Sequence, residues 1–337
     1  MRWMLLVFFF VAAPLAAGTV EVGKPAPKFK ATGRIVNPYE FARTLDDCRG
    51  DVIVVFEWNL GDLDMRKVAK QLASTWNTWG GKGLWVFGIH RLRDTQRQVY
   101  HYCKAEGISY CVPMGGFYDD ETNDFGAYVH EDKIYRTTVI GVDGNVAYYG
   151  RGDYDTVLQR ELKKLVYPGL GRHQVSEKLA KAARSFGVRD YGAALAEAEK
   201  LAAGELTDAE REDAQWIIER CKSLADRRNE RIKGWTEDKR FDLVLPALDA
   251  MEKEFRGHEL GKQAKAAADA IRKDRANKEE LKAFDDLKRL IEKSEPQGDQ
   301  TLINALKTWA GTKRDVRAGK VATDLARRIE EEARSQQ

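Results

Sequence analysis

The run Asp51-Val-Ile-Val-Val-Phe-Glu-Trp58 constrains the fold more than any other stretch of this chain. Val52 to Trp58 is almost continuously apolar, the pattern of a strand buried on both faces of a largely parallel sheet. Gly83-Leu-Trp-Val-Phe-Gly-Ile-His90 repeats it. Between the two, Met65, Val68, Ala69, Leu72, Trp76 and Trp79 recur at spacings of three and four, giving one apolar helical stripe that Gly80-Gly81 ends. Strand, helix and strand in this order require a right-handed parallel crossover. The spacing predicts a second helix over 94–106, stopped by Gly107, and then a short strand over 108–112 ending at Pro113. Residues 135–142 and 145–149 read as a hairpin turned at Asp143-Gly144. A last helix over 155–165 closes the unit before Tyr167-Pro-Gly169.

From about residue 174 the chain changes character. It becomes rich in Ala, Leu, Glu, Lys and Arg, with strong helical periodicity and little strand signal. Phe186, Tyr191, Ala194, Leu195, Ala198 and Leu201 form one stripe. Trp216, Ile217, Cys221 and Leu224 form another, after a capping box at Thr207-Asp-Ala-Glu210. Phe241, Val244, Leu245, Leu248 and Met251 begin a third helix. A weak repeat aligns Ala247-Leu248, Gly261-Lys262, Ala264, Ala268 and Ile271 with Ala305-Leu306, Gly319-Lys320, Ala322, Ala326 and Ile329, without gaps. Stacked helical hairpins of a tetratricopeptide-like kind give such a pattern, and so does coincidence between two Ala-rich helices.

The order of Val22-Gly-Lys-Pro-Ala-Pro-Lys-Phe29, the core strand, the loop Asn59-Leu-Gly-Asp-Leu-Asp64 and the helical run Met65-Arg-Lys-Val-Ala-Lys-Gln-Leu72 resembles two related families. These are the extracytoplasmic thiol-disulfide reductases and the peroxidases of the alkyl-hydroperoxide-reductase type, and the resemblance covers about the first half of the chain. It implies a thioredoxin-like α/β domain over 19–168, a central mixed sheet flanked by helices; the periodicity of the second half adds an all-α helical-hairpin domain over 174–337. In those families a reactive Cys, usually within Cys-X-X-Cys, sits between strand and helix; the corresponding positions here are Gly61 and Asp64. Their second mark is a cis-proline loop facing the active site. The equivalent residues here are Tyr135, Arg136 and Thr137, with no proline in reach. Both redox marks are missing together, which favours a redox-silent domain.

A thiolate at that place would be stabilised by the dipole and exposed amides of the helix N-terminus. Asn59, Gly61, Asp62 and Asp64 stand there instead. The carboxylates suit capping of the helix, with ligand or metal binding as the other reading. Cys48, Cys103, Cys111 and Cys221 are the cysteines of the chain. Cys103 and Cys111 are the redox candidates, with Cys48 able to partner either, and His101 lies close enough in sequence to lower the Cys103 thiol pKa. A structural disulfide or buried thiols is the reading favoured over a working redox pair, and four cysteines allow three connectivities. Cys221 lies on an apolar helical face and reads as core. The acidic, aromatic segment 118–133 reads as a solvated loop or a flank of a partner site rather than a calcium loop. The five histidines are scattered without metal-ligand spacing, and no cofactor or metal is expected.

Met1-Arg2-Trp3, the apolar run to Ala13 and the small residues Ala16, Ala17 and Gly18 read as a signal peptide over 1–18. Export to the periplasm or cell exterior follows, and membrane contact is expected only if that segment stays uncleaved. A formal charge of +3 with interleaved signs excludes the basic field that nucleic-acid binding needs. A protein or peptide partner is expected, in a non-enzymatic binding or scaffold role. The alternative is an unconventional thiol-disulfide oxidoreductase using Cys103 with Cys111 or Cys48, and a third reading gives Asp62, Asp64 and the acidic loop a metal-dependent role.

Overall fold

The computed structural model describes residues 20–31, 34–39, 44–91, 94–115, 135–172 and 174–334. The apolar run forms β2 (Val52–Trp58), in which all seven residues are buried. It lies parallel to β3 (Leu84–Arg91), from Val52 opposite Leu84 to Trp58 opposite His90. The crossover between them is α1 (Leu63–Trp79), which packs Ala69, Leu72 and Ala73 inward. Beyond β3 come α2 (Gln96–Ala105), started by a Thr95–Gln98 capping box, and β4 (Val112–Gly115). The hairpin is β5 (Thr137–Ile140) and β6 (Val146–Gly150), followed by α3 (Tyr154–Leu162). With the short β1 (Ile35–Val36) the sheet runs β1-β4-β3-β2-β5-β6. β2, β3 and β4 are parallel, and β5, β6 and β1 antiparallel to their neighbours. This mixed sheet with flanking helices is the thioredoxin-like plan.

The strand expected over 108–112 begins instead at Val112 and continues through Pro113. The proline is tolerated because Met114, not Pro113, donates to the carbonyl of Arg34, the residue just before β1. Ile108 to Cys111 leads into the strand, with a single bridge from Cys111 to Phe87.

The second half is helical: α4 (Ala180–Gly187), α5 (Tyr191–Ala202), α6 (Asp208–Glu237), α7 (Phe241–Glu254), α8 (Glu259–Lys273), α9 (Arg275–Ser294), α10 (Asp299–Thr312) and α11 (Arg317–Arg334). The Thr207–Glu210 capping box starts α6 as expected. The stripe from Phe186 to Leu201 is broken into two helices. Arg189 in the left-handed region (φ 62°) ends α4, and the Asp190 side chain caps α5. One core spans α4 to α8 and a second is shared by α9, α10 and α11.

Hairpins α7–α8 and α10–α11 share one close contact. A Cβ on Gly261 would lie 2.3 Å from the Phe255 carbonyl oxygen, and one on Gly319 would lie 1.9 Å from that of Lys313. Phe255 and Lys313 hold the same place in the two aligned segments. In both, glycine lets the second helix seat against the end of the first.

Among the described residues the halves are joined at two places. At the first, Gly50 and Gly171 (φ 82° and 80°) press backbone on backbone, so that a Cβ on Gly50 would lie 2.1 Å from the Gly171 Cα. Asp51 accepts the Gly169 N–H, Arg220 donates to the carbonyls of Gly169 and Asp47, and Arg227 pairs with Asp47. The Trp216 indole donates to the Leu170 carbonyl (2.7 Å) and stacks under Arg172, so the segment after α3 is fastened to α6. At the second, Arg97 pairs with Asp299, Lys104 with Glu295 (3.3 Å) and Arg34 with Glu332 (3.5 Å), fastening α2 and β1 to α9–α11.

Candidate functional site

β2 ends at Trp58, and the chain turns through Asn59 to Asp62 before α1 begins. The turn is built from side chains. Asn59 accepts the Asp62 N–H on its Oδ1 (2.9 Å), and Asp62 in turn accepts the N–H groups of Asp64 (2.9 Å) and Met65 (3.0 Å). Asp62 is therefore the N-cap of α1, and two amides that would face a thiolate are bonded to its carboxylate. Asp64 points to solvent and pairs with Lys67 at 3.0 Å. Gly61 takes no left-handed backbone, and a Cβ there would meet only the Asn59 Oδ1 at 3.3 Å. Neither Gly61 nor Asp64 carries a sulfur, so the loop has no group that can attack a disulfide or a peroxide.

Across the cleft lie Tyr135, Arg136 and Thr137. No peptide bond among the described residues is cis. The Asn59 amide nitrogen donates to the Tyr135 hydroxyl, tying the loop to the segment that enters β5. The Arg136 carbonyl accepts the Glu57 N–H at 3.5 Å, and its guanidinium lies over the Tyr149 ring. Thr137 is buried in β5, opposite Phe56 and Gly150. Between loop and hairpin is a cleft of about 360 Å³, lined among others by Asp62, Asp64, Met65, Tyr135 and Arg151. Leu63, 64% exposed, stands beside it at the start of α1. The cleft thus presents carboxylates, a guanidinium and a phenol together on an open face.

The ground beneath the loop was not legible in the sequence. Trp58 is fully buried and donates to the Gly88 carbonyl at 3.1 Å. The His90 ring meets Trp58 edge to face, and its Nε2 lies 3.3 Å from the Asp94 Oδ2. Burial outweighs this carboxylate and pushes the His90 pKa down to about 4, while burial also raises that of Asp94, so a neutral imidazole is held there. Glu57 is also fully buried within β2. A Glu inside an otherwise apolar strand and a His ending another were the only sequence signals for this polar floor.

The cysteines lie elsewhere. Cys48, Cys103, Cys111 and Cys221 are buried thiols, each no more than 1% exposed. Cys103 is on α2, Cys111 precedes β4, Cys48 precedes β2 and Cys221 is in the α6 core. The expectation that His101 lowers the Cys103 pKa is corrected. Burial pushes that thiol up to about 12, and the His101 ring lies against Tyr100 instead. Cys221 is likewise pushed up to about 12, and Cys48 is raised by burial and then by Asp51. A thiol so placed holds its proton at neutral pH and is a poor nucleophile.

Among the described residues no group of three or more His, Cys, Asp or Glu is placed to hold a metal ion, and no helix is long and apolar enough to cross a membrane. Segments 1–18 and 118–133, His130 and His173 lie outside the described residues.

No protein-family model matches the chain, and no curated protein matches it. Solved structures similar to its α/β half include a thioredoxin-family thiol:disulfide interchange protein from Chlorobium tepidum TLS, at 23% identity and TM-score 0.35, covering 43% of this chain and 99% of that one. Another is the thioredoxin domain of a thiol-disulfide oxidoreductase from Bacteroides vulgatus, at 20% identity and TM-score 0.33, covering 42% and 99%. A third is a thiol-disulfide isomerase from Corynebacterium glutamicum, at 18% identity and TM-score 0.34, covering 45% and 97%.

Proposed function

We propose that this chain is an exported thioredoxin-fold protein that has lost thiol chemistry and serves as a binding or scaffold protein for a polypeptide partner. Residues 1–18 would direct export to the periplasm or cell exterior, 19–168 would present the cleft at the head of α1, and 174–337 would offer a second surface of stacked helical hairpins. One observation carries the reading. The Asp62 carboxylate takes the amides that a catalytic thiolate would use, while the cleft beside them stays open, and the exposed Leu63 lies in the chain between its lining residues Asp62 and Asp64. An oxidoreductase built on Cys103 with Cys111 or Cys48 draws no support from three buried thiols, of which burial makes Cys103 and Cys48 hard to ionise.

The test is site-directed photo-crosslinking in cells, with the photoreactive residue placed at Leu63 on the cleft rim or at the exposed Lys163 beyond α3 as a control. A discrete protein adduct from position 63, absent from position 163 and lost with Arg151→Glu, is the expected outcome. The purified protein should at the same time leave insulin disulfides unreduced in the presence of dithiothreitol beyond the reagent's own rate. Adducts from both positions alike, or insulin reduction that Cys103→Ser abolishes, would overturn the reading.

A further inference from the structure

The first junction between the halves encloses a cavity of about 530 Å³ that the α1 cleft does not share. Its volume falls within the range of pockets that take small organic molecules. One wall belongs to the α/β half, where the Tyr39 ring packs 5.1 Å from Trp76 and 5.0 Å from Trp85. The facing wall belongs to the helical half, where the rings of Phe186 and Tyr191 are 4.9 Å apart. Trp76, Trp85 and Tyr191 are only partly covered, which leaves ring surface turned to the space between.

The charges around this space do not balance. Arg189, Arg220, Arg227 and Arg228 line it, against Asp47, Asp51 and Glu254. The carboxylates are already engaged: Asp47 by Arg227, Glu254 by Arg228 at 2.5 Å, and Asp51 by the Trp85 indole N–H and the Gly169 N–H. Among the described residues no carboxylate oxygen lies within 4.0 Å of Arg220 or Arg189. Arg220 spends its hydrogen bonds on the carbonyls of Gly169 and Asp47, and the carboxylates of Asp51 and Asp47 act on its charge only from beyond ion-pair distance. Arg189 is exposed at the rim and reaches toward Gly81. The excess is one positive charge, and it sits between aromatic faces.

We infer that the cavity between the two halves is a binding site for a small monoanion with a flat apolar body, an aryl carboxylate. The rings of Trp76, Trp85 and Tyr191 would cover the body of the ligand. The guanidinium groups of Arg189 and Arg220 would take its carboxylate, a pairing in which the planar fork matches the acceptor geometry. Dianionic phosphate groups fit less well, because Gly80 and Gly81 bring the carbonyl end of α1, the negative end of its dipole, to the same cavity. A ligand so placed touches both halves, and its binding would stabilise their junction.

The experiment is calorimetric titration of the full protein with 1-naphthoate, indole-3-acetate and 4-hydroxybenzoate, each beside its uncharged primary amide, with the shift in unfolding temperature recorded in parallel. At least one carboxylate is expected to saturate the protein with a Kd of about 1 mM or tighter and to raise the unfolding temperature, its amide binding at least about tenfold more weakly. Arg189→Asn is expected to weaken that carboxylate about tenfold. Asn tolerates the left-handed backbone of position 189, so the variant keeps the fold even if Arg220→Gln does not. Arg328→Ser serves as a control, because it lines the separate cavity of about 440 Å³ between β1, α2 and α9–α11. No saturation by any of the three at about 10 mM, equal binding of the amides, wild-type affinity in Arg189→Asn or a loss in Arg328→Ser would each overturn the inference.

Discussion

At the head of α1 the Asp62 carboxylate accepts two backbone N–H groups, so the helix keeps its cap while the loop lacks a nucleophile. Removing that oxygen leaves the amides to water. Asp62→Ala is expected to destabilise the protein by about 1 kcal/mol, the usual loss for an N-cap, measured by urea unfolding. The sequence carried this much: Asp62 and Asp64 stood where a cap belongs, and Gly61 where a sulfur is missing. It did not carry the bond from Asn59 to Tyr135, whose partners are far apart in the chain and meet only because β5 pairs with β2. Nor did it carry the state of the cysteines. Nearness of His101 to Cys103 in sequence suggested an activated thiol, but successive helical positions face different ways, and Cys103 turns into the core while His101 turns out.

The elements were legible wherever periodicity was strong. β2, β3 and α1 lie where their apolar patterns put them, because a strand buried on both faces and a one-sided helix have different periods. Boundaries set by backbone geometry were not. β4 starts at the far end of the predicted strand, and the break between α4 and α5 falls at an Arg in the left-handed region, which no propensity announces. The paired glycines of α8 and α11 belong to this scale. Gly319→Ala drives a Cβ into the Lys313 carbonyl and is expected to destabilise by about 1–3 kcal/mol, the range for overpacking. Gly311→Ala in α10 meets nothing within 4 Å and is expected to stabilise by about 0.5 kcal/mol through helix propensity. Thermal unfolding of the two variants side by side reads the contrast; equal shifts would deny the close seating of α11 on α10.

Across the whole molecule the junction at Asp51 adds its own pH-dependent contribution to stability, opposite in sign to that of the buried His90. Burial lifts the Asp51 pKa to about 6 from its usual 3.8, only partly opposed by the N–H donors of Trp85 and Gly169. The folded state thus favours the protonated acid. Its contribution to stability is fullest below pH 3.8, declines as pH rises to about 6 and is flat above, a change of about 3 kcal/mol for a shift of this size. The unfolding free energy of the wild type should accordingly gain on that of Asp51→Asn as pH falls from 7 to 4. A difference that stays constant with pH would rule out a raised Asp51 pKa.

By itself the sequence determined the strand–helix–strand frame, the helical character of the second half and the lack of sulfur in the loop after β2. Each is written in local spacing and residue type, and local spacing is enough to set hydrophobic periodicity and to exclude a chemistry. The tertiary structure alone decided which thiols are buried, which polar groups are buried next to the loop, and that aromatic rings from both halves meet guanidinium groups of the helical half at one cavity. Burial and electrostatics depend on what packs against a residue from distant parts of the chain. The contacts that set them, Asn59 with Tyr135, Gly50 with Gly171 and Asp51 with Gly169, come into being only when the sheet closes and the helices dock on it.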